Sequence, residues 1–301
     1  MRVAAVDIGT NTVRLLLGEV AGGGLLSIAE KRTEITRLGR GVDERRRLDP
    51  RAVQLTVDVL GEYGSAADRF AAERRGAVAT SATRDAEDRE AFLDLAATAF
   101  GARPDVIAGE REAELAFAGV RSAVRPAGPI LVVDLGGGST EFVFGEDDVE
   151  YARSVDVGSV RVTERWLARR PITTEALAAA RSAVAGALAP LEIPGAPGLV
   201  IGVAGTFTTL AAVHLELAVY DRDVVHGSVL RLDDLMRMVE RLAALSVEDI
   251  AAIPTVPPGR ADVLLGGAIV AEAAVARSGH GEVTISEADL LDGIALAIGT
   301  D

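Results

Sequence analysis

The chain contains no cysteine in its 301 residues. Disulfides, thiolate metal centres and a cysteine nucleophile are therefore excluded. Lysine occurs once, at Lys31, outside any Gly-Lys-Ser/Thr context, which excludes a P-loop nucleotide site. Positive charge as a whole is scarce: 31 Lys and Arg stand against 45 Asp and Glu, a net charge of −14. A general nucleic-acid binder needs a basic footprint, and this balance has the wrong sign. No apolar run reaches the ~18 residues that a membrane helix requires. The first strand is read at Arg2–Val6, which leaves no room for a signal peptide, so a cytoplasmic location is expected. Low-complexity tails, coiled-coil heptads and long charge runs are absent too.

What is present describes a globular enzyme. Hydrophobic content of 49% with 25% charged residues is ordinary for that class, and the length suits two domains. An acidic molecule holds a polyanion only through local attraction, from main-chain amides, a bound cation or a few arginines.

The stretch Val133–Glu141, VDLGGGSTE, offers all but the arginine. An apolar run ends at Asp134, and Gly136, Gly137 and Gly138 make a tight turn. Ser139, Thr140 and Glu141 then lead into the apolar residues Phe142–Phe144, so the pattern reads strand, turn, returning strand. Three glycines leave the backbone N–H groups open to an anion. The hydroxyls of Ser139 and Thr140 add donors. Asp134 and Glu141 supply oxygen ligands for a hard divalent cation. An ordinary glycine-rich hairpin would look similar, but the pattern recurs. Val6–Arg14, VDIGTNTVR, repeats the apolar run, the Asp and a glycine followed by small polar residues. Asp7 lies 11 positions before Gly18, and Asp134 lies 11 positions before Gly145. Two copies at one spacing indicate a duplicated half facing its twin across a cleft. Asp7, Gly9, Thr10, Asn11 (the sole asparagine), Thr12 and Arg14 are then the first phosphate loop.

The intervening pattern is α/β. Asp49-Pro50 is a helix start, the helix running to about Phe70. Further helices are read over Ala86–Phe100 and Glu110–Val120, with strands at Ala77–Thr80 and Asp105–Ala108. The Pro/Gly-bearing stretch Arg121–Pro129 is the expected boundary, dividing the chain into 1–122 and 123–301, with a terminal helix at about 287–301 free to pack back on the first half. The second half repeats three strands over Ile130–Asp156, then alternates helices with strands at Leu199–Val203 and Glu282–Ile285.

The two loops resemble the paired phosphate motifs of the exopolyphosphatase/guanosine pentaphosphate phosphohydrolase (Ppx/GppA) family, within the actin/hexokinase-like superfamily. Thr36-Arg37-Leu38-Gly39, Ala79–Arg84, Gly109–Leu115, Gly158-Ser159-Val160-Arg161, Gly202–Thr206 and His226-Gly227 match in the same order along nearly the whole chain. The resemblance implies duplicated actin-like α/β domains with a cleft between them. It implies a phosphoanhydride hydrolase dependent on Mg²⁺ or Mn²⁺, acting on inorganic polyphosphate or guanosine pentaphosphate, without nucleic acid or membrane; a homodimer is left open. The short form is expected, because no His-Asp pair marks the additional hydrolase-like domain of longer members.

Hydrolysis needs a positioned water and a base within reach of it. Glu112 matches the family's catalytic glutamate, the second of two adjacent glutamates before alanine, although Arg111 replaces the first. The competing reading is that Glu110 and Glu112 merely offset the dipole of a helix start. Glu141 resembles the second functional glutamate, and Asp7, Asp134 and Glu141 the metal carboxylates. Arg14 and Arg84, each in or just beyond a small-residue loop, are candidate phosphate forks; Arg37 and Arg161 are weaker ones. A kinase of the same superfamily and a non-hydrolysing regulator are the alternatives; the context of Glu112 disfavours the first, and the retained Glu112, Asp134 and Glu141 the second.

Overall fold

The computed structural model describes residues 1–22, 24–124 and 127–300. The chain divides into two compact units, Met1–Arg125 with Ala288–Asp301, and Pro126–Glu287. The terminal helix Leu290–Thr300 thus clusters with the first half of the sequence. The helix Gly109–Ala123 continues into the expected boundary stretch, and positions 125 and 126 there lie outside the described residues.

The first unit is built on five strands, β1 (Arg2–Ile8), β2 (Thr12–Ala21), β3 (Leu25–Ile35), β4 (Arg74–Ala79) and β5 (Asp105–Val106), in the order β3-β2-β1-β4-β5. The first three are an antiparallel meander, and β4 and β5 add in parallel. The second unit contains β6 (Ile130–Leu135), β7 (Thr140–Gly145), β8 (Val149–Val155), β9 (Leu199–Val203), β10 (Val229–Arg231) and β11 (Glu282–Ile285), in the order β10-β11-β9-β6-β7-β8. Apart from the extra edge strand β10, the plan is the same: an antiparallel meander (β6-β7-β8) extended by two parallel strands (β9, β11). The repeated spacing to Gly18 and Gly145 has a structural counterpart, since both second strands shift register at those glycines. A Cβ would come within 2.8 Å of the Ser27 carbonyl at Gly18 and within 2.0 Å of the Asp148 carbonyl at Gly145. A glycine facing a bulge in the third strand therefore sits at the same place in each half.

Strand alternation decides which way the site residues point. In β1, Ala4, Val6 and Ile8 join the core formed with the helices Pro50–Phe70 and Arg89–Phe100. Val3 and Ala5 face the opposite core, which contains Leu16, Leu115, Ala116, Leu290, Leu291 and Ile294. With a period of two, Asp7 continues the Val3–Ala5 row and Arg14 the Leu16 row. Glu112 precedes Leu115 and Ala116 by three and four positions on their helix, so it shares their face. The polar residues of the first unit thus extend one apolar face of the sheet. The helix Gly109–Ala123 and the terminal segment also approach backbone to backbone there, at two glycines. A Cβ on Gly119 would fall 1.9 Å from the Asp289 carbonyl, and one on Gly293 1.9 Å from that of Leu115.

The sequence placed one helix over Ala86–Phe100, whereas the chain forms a short helix Ser81–Asp85 and then Arg89–Phe100. Asp49 does cap its helix, accepting from the Arg51 and Ala52 N–H groups at 2.9 and 3.3 Å. Among the described residues no helix is long and apolar enough to cross a membrane.

Candidate active site

Both glycine loops are cradles held from behind. After β1, the Gly9 N–H donates to the Thr12 carbonyl at 2.9 Å. The Thr10 carbonyl accepts from the Gly39 N–H at 2.8 Å, and the Asn11 carbonyl from those of Thr36 and Arg37 at 3.1 and 3.0 Å. After β6, the Gly136 N–H donates to the Ser139 carbonyl at 3.0 Å in the same turn. The Gly136 carbonyl accepts from the Ser159 N–H at 3.1 Å, and the Gly137 carbonyl from Val160 and Arg161 at 2.9 and 3.2 Å. In a planar trans peptide the N–H points opposite to the carbonyl. Tying the carbonyls to the strap therefore turns the N–H groups of Asn11 and Thr12, and of Gly137, Gly138 and Ser139, to the other side. Successive N–H groups presented this way form an anion-binding concavity. The motifs Thr36–Gly39 and Gly158–Arg161 are these straps, and their glycines are required by proximity. A Cβ would lie 2.3 Å from Thr10 Cγ2 at Gly39 and 2.5 Å from the Gly137 backbone at Gly158.

The carboxylates come next. Asp7 is buried, and its cross-strand neighbour is Arg14. Arg14 Nε and Nη2 both donate to Asp7 Oδ2, at 2.9 and 2.8 Å, while Nη1 is paired with Asp289. Asp7 Oδ1 is buried with no hydrogen-bond partner among the described residues. Burial raises the Asp7 pKa above its ordinary value against the pull of Arg14. Burial also opposes ionisation of Asp289, but Arg14, Lys31 and the Leu291 N–H together outweigh it and hold that carboxyl low. Lys31 is ion-paired with Asp292 at 2.7 Å.

Glu112 is 7% exposed, whereas Glu110 and Glu114 on the same helix are exposed. Its Oε2 accepts from Arg84 Nη1 at 2.7 Å, and that nitrogen also donates to the Ile107 carbonyl at 2.9 Å. Burial pushes the Glu112 carboxyl up to about 7, with Arg84 opposing the rise and the nearby Asp7 charge adding to it. Arg111 pairs instead with Glu114 at 2.8 Å.

In the second unit Asp134 and Glu141 are directly opposed across β6 and β7, both buried. Glu141 Oε1 accepts from Ser154 Oγ at 2.7 Å.

This geometry bears on four of the expected phosphate contacts. Thr140 does not offer its hydroxyl to a phosphate; Oγ1 is buried and donates to the Val157 carbonyl at 2.6 Å. Arg14 is not an open phosphate fork, because its guanidinium lies between two carboxylates. Arg84 lies just beyond the loop, in the short helix Ser81–Asp85, with Nη1 committed to Glu112 and the Ile107 carbonyl. Arg161 is buried and donates through Nε to the Gly138 carbonyl at 2.8 Å, which makes it part of the strap. Sequence reasoning also missed Asp289 and Asp292. The only local sign of them is a pair of aspartates heading an otherwise apolar terminal helix.

The family model described as the Ppx/GppA phosphatase family matches residues 18–298. Exopolyphosphatase 2 of Mycobacterium tuberculosis (strain CDC 1551 / Oshkosh) is 41% identical over 316 residues, covering 99% of this chain and 98% of its own. Among solved structures, an exopolyphosphatase-like protein matches with a TM-score of 0.94 at 35% identity, covering 100% of this chain and 99% of its own. The Ppx/GppA family member of Aquifex aeolicus matches with a TM-score of 0.83 at 33% identity, covering 99% and 97%.

Proposed function

Since the chain belongs to the Ppx/GppA phosphatase family and is a hydrolase of that family, we propose that it releases the terminal phosphate of inorganic polyphosphate, with Glu112 as the base that activates water. The 5′-γ-phosphate of guanosine pentaphosphate is the second substrate of the same chemistry. The observation that carries this reading is the state of Glu112. A carboxyl that titrates near 7 can take a proton from water and return it at neutral pH. Arg84 holds Oε2, which leaves Oε1 to receive the proton. A helix-dipole role needs neither burial nor an ion pair, and the exposed Glu110 fills it without them.

The N–H groups of the loop after β1, and those of the loop after β6, would each bind phosphate oxygens, which carry the charge of the transferring group. Asp7 with its unpartnered Oδ1, and the facing pair Asp134 and Glu141, are hard oxygen donors that fit Mg²⁺ or Mn²⁺. Among the described residues no three His, Asp or Glu side chains form a cage, which suits an ion that binds through one or two carboxylates and its substrate's phosphates. When bound, the cation supplies charge neutralisation on those phosphates.

The test is phosphate release from polyphosphates of defined length, guanosine pentaphosphate and ATP in parallel, with and without EDTA. Release from the first or second substrate, abolished by EDTA and restored by Mg²⁺, is expected. Turnover of ATP alone would overturn the substrate reading, and full activity after rigorous metal removal would overturn the metal assignment.

A further inference from the structure

Arg14 looks at first like a phosphate ligand, yet its three donor nitrogens are all directed at carboxylates of its own unit. Two of them close on one oxygen of Asp7, and the third is paired with Asp289, from the segment that leads into the terminal helix. Asp289 is itself fixed from several sides. Its Oδ1 accepts from the Leu291 N–H at 2.9 Å, and its own N–H donates to Asp292 Oδ2 at 3.0 Å. Asp292 Oδ2 also receives Lys31 Nζ, from β3, at 2.7 Å. The result is a chain of alternating charge, Asp7–Arg14–Asp289, tied through the Asp289 N–H to the pair Lys31–Asp292. All five side chains are largely buried, none more than 15% exposed.

The same segment also grips the helix that carries Glu112. The Asp289 carbonyl fills the space a Cβ would need on Gly119, and Gly293 packs on the Leu115 carbonyl. The terminal segment therefore touches both the arginine that holds Asp7 and the helix of the base.

A buried carboxylate facing one arginine alone is neutralised by it, and a cation would have to compete with that guanidinium. A second carboxylate on the same arginine divides its charge and aims it. Arg14 is drawn toward Asp289, binds Asp7 through Oδ2 only, and leaves Oδ1 without a partner.

We infer that Asp289 is a positioning residue for Asp7, acting through Arg14 to keep the Oδ1 edge unpartnered and open to a divalent cation. The inference rests on the proposed cation role of Asp7. It goes beyond that role in making the segment from Asp289 into the terminal helix part of the phosphate site rather than a structural return.

The test is Mn²⁺ binding to the full-length, metal-stripped protein by electron paramagnetic resonance titration, in a double-mutant cycle of Asp289→Asn and Arg14→Gln. Asp289→Asn keeps shape and an acceptor but removes the charge. It is expected to weaken Mn²⁺ binding at least tenfold in the wild-type background and less than twofold when Arg14→Gln is already present. Thermal midpoints of each variant show that the titrated protein is folded; if Asp289→Asn does not fold, Asp289→Ser, which retains an acceptor for the Leu291 N–H, carries the same cycle. Unchanged Mn²⁺ affinity in a folded Asp289 variant overturns the inference alone, whereas equal losses in both backgrounds show that Asp289 does not act through Arg14 and overturn it too. No Mn²⁺ uptake by the wild type overturns the cation reading and the inference with it.

Discussion

In the loop after β1, Asp7 faces Arg14 across the strand pair; in the loop after β6, the equivalent Asp134 faces Glu141. The two cradles otherwise share a design. Each closes with an N–H to carbonyl bond from the second residue after the Asp, and each is strapped through its carbonyls by a segment that includes a glycine with no room for a Cβ. Duplication kept the backbone and changed the charge opposite the carboxylate. In one half an arginine stands opposite the carboxylate. In the other, a second carboxylate does, on the same face of the sheet, and under the proposed reading a divalent cation binds there. The catalytic candidate, Glu112, lies in the unit whose carboxylate faces the arginine. The comparison teaches that equivalent backbone positions in a duplicated fold need not carry equivalent chemistry.

The division of labour breaks most visibly at Glu112. Glu112→Gln is expected to lower kcat by ~10²–10⁴ while substrate binding persists. Glu110→Gln, at the same helix end but exposed, should remain close to wild type. Turnover on a short polyphosphate, measured with the thermal midpoint, decides the matter; two near-active variants would remove the base from the first unit and leave Glu141 to be tested. The same variant carries a pH signature. The folded Glu112 carboxyl is raised to about 7 from 4.5, so its protonated form is favoured by folding. Wild-type stability relative to Glu112→Gln should therefore be greatest below pH 4.5 and fall by ~3 kcal/mol as pH rises through 7. Chemical denaturation of both proteins across that range checks it, and a flat difference would contradict the buried-carboxyl account.

The straps sharpen the likeness between the loops. At Gly158 an added methyl meets the Gly137 backbone, and at Gly39 it first meets the end of the Thr10 side chain. Gly158→Ala is expected to cost ~1–3 kcal/mol of stability and to raise KM, and Gly39→Ala to cost less. Denaturant midpoints and KM values for the pair would show it, and the reverse order would mean that the second cradle is the more yielding.

Arg84 tests how the base is tuned. Its positive charge opposes the rise of the Glu112 pKa, so Arg84→Gln should move the acid limb of kcat/KM to higher pH. Activity should then fall more at pH 6 than at pH 8. A limb that does not move would detach Arg84 from the base and return it to phosphate binding alone. The smallest expected effect lies away from both loops. Asp49→Ala removes the cap of the helix Pro50–Phe70 and should cost ~1 kcal/mol in thermal unfolding with unchanged turnover.

Much of this was legible before the structure. The strands Leu199–Val203 and Glu282–Ile285 fall where their apolar runs lie, and the Asp49-Pro50 start holds to the residue. The repeat around Asp7 and Asp134, including its spacing to Gly18 and Gly145, predicted two sheets of one plan. These features are local: the period of apolar residues, the freedom of glycine and the fixed φ of proline act within a few positions along the chain. The short helix Ser81–Asp85 escaped, and the next helix was begun three residues early, because Ala86-Glu87-Asp88 suits a first helical turn as well as a link.

What the sequence by itself determined, then, is the backbone of the site: two glycine cradles, their order and the elements that carry them. Only the tertiary structure decided which charges work there. Glu110 and Glu112 are nearly indistinguishable in a helix's first turn, and burial on the face of Leu115 and Ala116 is what separates them. Arg14 finds Asp289 across 275 positions, and Lys31 finds Asp292 across 261. Burial and charge pairing depend on neighbours in space, and no periodicity along the chain records which distant carboxylate a buried guanidinium will meet.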